Sequence, residues 1–267
     1  MNFYPTRYSG LTNPEVNELY RSETWAGLNR DERLDALQEL ENRSAEACGN
    51  QPCEVMLEQM NGARYGYYSN WEIYVNESLV ASGEFTVQYE DGSTASYSPA
   101  DTNAQLMDTI HHENYHAYQS DAIHGIVNHN NAAEVEQWRA NWDNDNYISG
   151  NDPLYRIQSL EKSAFEHGET QTKAALDGIE AKYGADAGYQ EYLDSISENS
   201  YGNALVEAKE LYGNENIESV LNEQMLLGYQ ANHINNFFNE FSRAKDLEIE
   251  NSEVHMEQSL YEIEDNM

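Results

Sequence analysis

His112-Glu113-Asn114-Tyr115-His116 sets two imidazoles four residues apart, with a carboxylate beside the first. On a helix, residues four apart lie one above the other, so His112 and His116 can grip one metal ion from the same face. Glu113 is turned about 100° from His112. Its carboxylate then reaches beside the ion and not onto it, where a general base for an activated water belongs. Two His ligands, one further protein ligand and an open water position make a catalytic zinc site; four protein ligands make a structural one. So short a pattern also arises by chance, and two His at this spacing occur on plain polar helix faces. The surrounding residues must decide.

Ser98-Pro99-Ala100-Asp101 reads as a helix start, with Ser98 as cap, Pro99 in the first helical position and Asp101 answering at the third. No Gly or Pro follows before about Ala122, and Leu106, Ile110 and Tyr118 fall near the face of the His pair. A half-buried helix is expected, able to hold ligands by packing while leaving the ion in reach of water. The third ligand must come from another element. A metzincin continuation needs Gly at 119 and His at 122, where this chain has Gln119 and Ala122, and is thereby excluded. Glu161 is the leading choice, on a helix that Asp152-Pro153 opens, with Ala164 small enough for two helices to approach. Glu166 and His167 on the same helix are its nearest rivals; Glu134, Glu136, His124 and His129 are weaker ones. His111 points away from His112 and reads as a packing group. For steadying a tetrahedral oxyanion, Tyr155, Arg156 and His167 lie near Glu161 in sequence.

His112-Glu113-Asn114-Tyr115-His116-Ala117-Tyr118-Gln119, followed by Tyr155-Arg156-x-Gln158-x-x-Glu161-x-x-Ala164, resembles the small zincin metallopeptidase domains of bacterial polymorphic toxins and related secreted or phage-associated proteins. The stretch from Arg33-Leu34-Asp35-Ala36-Leu37-Gln38 through Gly66-Tyr67-Tyr68 to Ile73-Tyr74-Val75-Asn76 is similar to the lead-in of such domains, so the resemblance spans residues 25–175. It implies that His112, His116 and Glu161 hold Zn²⁺, that Glu113 is the catalytic base, and that the chain is a gluzincin-like peptidase of the toxin-effector kind. Ser159 stands where the family's Gln-Pro-x-Glu-x-x-Ala motif usually has Pro.

The chain of 267 residues carries 48 acidic against 14 basic side chains, a formal charge of −34. Such a surface repels nucleic acid and anionic membranes and favours cationic partners, so a protein or peptide substrate of basic character is expected. Solubility or tolerance of salt explains the acidity more readily than a specific basic partner does. An acidic mimic of nucleic acid would explain the charge and leave the His pair without a purpose. No apolar run approaches the roughly 20 residues that span a bilayer, and no Sec signal peptide is evident. These features suit a cytoplasmic protein, one exported by a signal-independent route, or a domain cut from a longer chain. Cys48 and Cys53 sit five residues apart in a Gly- and Pro-containing loop, compatible with a disulfide or with free thiols.

The elements required to position the site are legible in part. Asn13-Pro14 opens a short helix, and Leu34, Leu37 and Leu40 mark the inner stripe of another capped by Asn29. Val55–Glu58, Trp71–Val75, Glu84–Tyr89 and Ser93–Tyr97 read as strands, the last pair a hairpin turning at Asp91-Gly92. Ile73 and Val75 mark the strand expected at the sheet edge, where an extended substrate could add to it. Helices are expected at 133–142, from Leu154 to Tyr183, and at 186–197, 202–212 and 215–246, with Met225-Leu226-Leu227 and Phe237-Phe238 as packing residues. The polar loop holding Asp143, Asp145 and Asp152 lacks the spacing of a calcium hand. An acidic tail follows Asp246. The expected fold is α+β and zincin-like: a small antiparallel or mixed sheet, the helix bearing the His pair, and a largely helical second half. A metallopeptidase core over 1–185 and a helical extension with acidic tail over 186–267 complete the expectation. A zinc-dependent endopeptidase is the leading reading. The alternative is a non-catalytic zinc-binding or acidic interaction protein.

Overall fold

The computed structural model describes residues 3–60, 64–81, 85–88, 92–97, 102–142, 147–148 and 152–226. These form, in chain order, α1 (Asn13–Glu18), α2 (Ser22–Gly27), α3 (Arg30–Cys48), β1 (Glu54–Glu58), β2 (Gly66–Ser69), β3 (Glu72–Asn76), α4 (Glu77–Val80), β4 (Phe85–Gln88), β5 (Thr94–Tyr97), α5 (Asn103–Ile123), α6 (Ala132–Asn141), α7 (Pro153–Ile157), α8 (Ser159–Tyr183), α9 (Ala187–Glu198), α10 (Tyr201–Tyr212) and α11 (Asn214–Leu226). The class is α+β, with little strand and much helix. Two compact units result: one from the chain up to Asn130 together with Leu160–Asn203, the other from Asn131–Ser159 and, among the described residues, 204–226.

In the first unit, α3 starts where Asn29 accepts from the backbone N–H groups of Asp31 and Glu32 while Glu32 accepts from the Asn29 backbone, a reciprocal capping box. It ends at Gly49, whose φ of 84° supplies the left-handed cap. Leu37 and Leu40 are buried as expected. Gln38 pairs with the backbone of Cys53 and Val55 at 2.9 and 2.8 Å, tying α3 to the start of β1. The sheet has the order β1-β3-β2, with β1 parallel and β2 antiparallel to β3. β2 and β3 are joined by Asn70 and Trp71 at φ 52° and 61°, a two-residue turn that needs left-handed backbone at both positions. The expectation that Ile73 and Val75 lie on an edge strand is corrected here. β3 is the central strand, paired on both sides, and both side chains are fully buried in the core. With its N–H and C=O groups already spent on β1 and β2, β3 has none left for a substrate.

α5 lies against α3, β2 and β3, close because Gly66 lacks a side chain: a Cβ there would stand 2.7 Å from the Tyr74 carbonyl and 2.8 Å from Thr109. Leu106, Met107 and Ile110 of α5 enter the same core as Ile73, Val75 and Leu37. α9 begins just beyond the boundary expected at 185 and gives Tyr189 and Tyr192 to this core. Residues Ser98 to Asp101, the expected cap, lie outside the described residues; the described helix opens with Thr102, whose hydroxyl donates to the Leu79 carbonyl. β4 and β5 pair antiparallel as the hairpin pattern predicts; Asp91 lies outside the described residues.

In the second unit, Val135, Trp138, Leu154 and Ile157 are buried. The single helix expected from Leu154 to Tyr183 is instead interrupted at Gln158, whose backbone is extended (φ −65°, ψ 147°). The Gln158 amide explains the break, since it bonds both backbone groups of Ile148 and the side chain of Asn141. Asp152 caps α7 through the Leu154 N–H at 2.8 Å and also meets the Tyr212 hydroxyl. Its carboxylate is occupied by those partners. Asp143, Asp145, Leu227, Phe237, Phe238 and the acidic tail lie outside the described residues.

Candidate metal centre

His112, Glu113 and His116 all lie on the buried side of α5, each no more than 8% exposed. Their donor atoms stand within 4.8 Å of one another, and this buried group can hold a metal ion. Nε2 of His112 is 3.1 Å from Nε2 of His116. Glu161 reaches the same point from α8, with its Oε1 3.3 Å from His116 Nε2 and its Oε2 3.3 Å from His112 Nε2. An ion with ligand bonds of about 2.0–2.1 Å in tetrahedral array has ligand-to-ligand edges of about 3.3 Å. The contacts between the two imidazoles and from each imidazole to its own Glu161 oxygen are close to that length.

The break at Gln158 places Glu161 in the first turn of α8, where the positive end of the helix dipole favours its negative charge. Gly168, two turns on, lets α8 approach α5: a Cβ there would lie 2.6 Å from Asp108 Oδ1 and 3.3 Å from the His112 Cβ. Ala164 is fully buried, in keeping with a close approach. The ring of Phe165 rests against His112 at 4.5 Å.

Gln119 supports the site from behind and is wholly buried. Its amide nitrogen donates to the Leu160 carbonyl at 2.9 Å and to Ser163 Oγ at 2.8 Å. The Leu160 carbonyl can only accept, so that end of the amide is the NH₂ and its oxygen faces His116 Nδ1 at 2.7 Å. His116 therefore carries its neutral-state proton on Nδ1 and turns an Nε2 lone pair toward His112 and Glu161. On the other side, Asn114 donates to Glu41 Oε1 at 3.0 Å, which also accepts from the Cys53 N–H at 2.8 Å.

The electrostatics favour a cation. Burial alone would depress His116, yet the carboxylates of Glu161 and Glu113 and the Gln119 contact carry it up to about 9. Burial would raise Glu161, but the two imidazoles hold it well below the usual carboxylate range.

The other sequence candidates lie elsewhere. Glu166 pairs with Lys162 at 2.6 Å, His124 Nδ1 bonds the Ser120 carbonyl, and His129 meets the Tyr118 hydroxyl at 2.9 Å. His111 bonds Ser44, and His167 lies beside Cys48 and stacks on Tyr115. Tyr155 and Arg156 are on α7 in the other unit, where the Tyr155 ring meets Tyr147 edge-on. The Glu134 carboxylate accepts from the Asn131 amide at 3.4 Å, and Glu136 pairs with Arg139. Both cysteines are free. Gln119, Gly168 and Glu41 are the site's supports that sequence reasoning missed. The chain matches no protein-family model, no curated protein and no solved structure. No helix among the described residues is long and apolar enough to cross a membrane.

Proposed function

We propose that the chain is a zinc-dependent peptidase of zincin type, with His112, His116 and Glu161 as ligands and Glu113 as general base. The observation that carries this reading is the convergence of two imidazoles 3.1 Å apart with a carboxylate from a second helix that sets one oxygen 3.3 Å from each. A divalent ion also suits the charge, since two acidic side chains are buried beside the two imidazoles. Glu161 meets both imidazoles at 3.3 Å from a second helix, and Glu113 stands beside them in the buried group. This reading gives Glu161 to the ion and Glu113, one residue round the helix from His112, to the water. A zinc ion held there would lower the pKa of a coordinated water towards about 7 and polarise a scissile carbonyl. Glu113 takes the proton from the attacking water and delivers it to the leaving amine.

The test is a pair of measurements on the same variants. Glu113→Gln keeps one zinc per chain by elemental analysis and loses about 10²–10⁴-fold in peptide-library cleavage. His112→Ala and His116→Ala lose zinc and cleavage together. Glu113→Gln cleaving at the parent rate would refute the mechanism. Zinc retained without chelator-sensitive cleavage in the parent would instead mark a binding protein. The acidity favours basic peptides as substrates.

A further inference from the structure

The two faces of the three-stranded sheet meet different surroundings. Side chains alternate along a strand, and Val55, Ile73 and Val75 enter the core shared with α3 and α5. The intervening positions therefore face away from that core: Glu54, Met56 and Glu58 of β1, Glu72 and Tyr74 of β3, and Tyr67 of β2. Met56 is 38% exposed, Glu54 and Glu58 are exposed, and the other three are half-buried.

Register sorts these side chains into rows. Tyr67, Tyr74 and Met56 are neighbours across the sheet, and the two phenol rings stack with centroids 4.8 Å apart and planes 11° apart. Carboxylates flank this row, with Glu54 beside Glu72 on one side and Glu58 on the other. Adjacent strands stand about 4.8 Å apart, so Glu54 and Glu72 repel each other. Among the described residues, none of these three carboxylates forms an ion pair. The row already holds one cation. Arg64 sets its guanidinium 4.4 Å over the Tyr67 ring and, among the described residues, forms no ion pair in a chain rich in acids. Tyr67 donates to Glu58 at 2.6 Å and Tyr74 to Glu72 at 2.5 Å. A phenol that donates to a carboxylate has a more electron-rich ring, which strengthens its hold on a cation over its face. Arg64 closes the stack at Tyr67. The mirror position beyond Tyr74, toward Met56, has carboxylates beside it and no such cation.

We propose that this sheet face docks an arginine-bearing segment of a cationic protein, seating a guanidinium against Tyr74 in ion-pair reach of Glu54 and Glu72. Other occupants carry the wrong charge. A second copy brings another −34, and the chain's own C-terminal stretch adds Glu248, Glu250, Glu253 and Glu257. Nucleic acid and anionic membranes are repelled. Net acidity alone would draw lysine and arginine alike, but a guanidinium stacks on aromatic faces where an ammonium remains a hydrated point charge. The face lies on the far side of the sheet from α3 and α5, and the proposal is independent of the peptidase reading.

Calorimetric titration of the full chain with N-acetylated hexa-arginine and hexalysine tests this, with chelator present so that no peptide is cut. Hexa-arginine is expected to bind about 2–5-fold more tightly than hexalysine, the margin that one exposed ring gives a cation. Tyr74→Ser removes that preference, and Tyr74→Phe, which keeps the ring, retains it. Glu54→Gln, an exposed change that leaves the core untouched, weakens both peptides. Glu180→Gln and Glu198→Gln, on α8 and α9, leave both affinities as they were. Absence of binding, equal affinity for the two peptides, or a preference that survives in Tyr74→Ser would overturn the proposal. So would equal losses in Glu54→Gln and Glu180→Gln, which would assign the attraction to general acidity.

Discussion

Gln119 joins three groups that have to move together: His116 on its own helix, and the Leu160 carbonyl and Ser163 hydroxyl beside Glu161. Removing it frees the His116 ring to turn and releases the first turn of α8. Gln119→Leu is expected to weaken zinc binding about 10–100-fold, the usual cost of losing such a supporting bond, measured by chelator competition. Gln119→Glu keeps an acceptor for Nδ1 but loses the donation to Leu160, and should fall between parent and Leu variant. Glu41 makes a different prediction. Burial raises it to about 8, opposed by its bonds from Cys53 and Asn114, against about 4.3 in an unfolded chain. The folded state thus holds the proton more tightly, so this contribution is complete below about pH 4 and is lost as pH rises through 8. Urea midpoints should fall between pH 6 and pH 9, and Glu41→Gln should flatten the fall; an equal slope in the variant would assign it to other groups. His112, Glu113 and His116 were legible in the sequence because a helix turns four-residue spacing into a shared face. Gln119 and Glu41 were not, because their partners lie on α8 and β1 and nothing local marks a buried Gln or Glu.

At the level of elements, the site is a matter of how near α8 comes to α5. Gly168 sets that distance, and Gly168→Ala tests it with two opposing effects. Alanine favours the helix by about 1 kcal/mol, whereas forcing a methyl into a full contact costs about 1–3 kcal/mol. The Cβ would meet a movable carboxylate but also the Asp108 backbone carbonyl at 3.2 Å and the His112 Cβ, so the helices must separate. Stability is expected to drop by about 1 kcal/mol, with a larger fractional loss in zinc affinity because Glu161 moves with α8. Unchanged zinc affinity in a folded variant would show that the spacing is set elsewhere. The α3 cap at Asn29 and the hairpin of β4 and β5 follow from local residue types, and the sequence reading anticipated both. Strand order is a non-local property, and Ile73-Tyr74-Val75-Asn76 alternates equally well for an edge or a centre. The β2–β3 turn escaped notice since Asn70-Trp71 carries no glycine to mark its left-handed backbone.

For the whole molecule, charge is the dominant unbalanced quantity. Arg7, Arg21, Arg30, Arg43, Lys173, Lys182 and Lys209 all pair with carboxylates, yet 48 acidic groups face 14 basic ones. Most acidic groups therefore lack a basic partner and repel one another, which raises the free energy of the compact state. Raising NaCl from 0.1 M to 1 M shortens the screening length from about 10 Å to about 3 Å. A gain of roughly 2 kcal/mol from the relief would lift Tm by about 4–8 °C for a chain of this size. Screening reaches exposed charges far more than buried ones, and Glu161 is 1% exposed. The salt response of folding and that of zinc affinity should therefore separate: Tm climbs with NaCl while the zinc Kd shifts less than threefold. A zinc affinity that collapses over the same range would mean that the ion is held at the surface by general acidity, and not by the pair of helices that bring His112, His116 and Glu161 together.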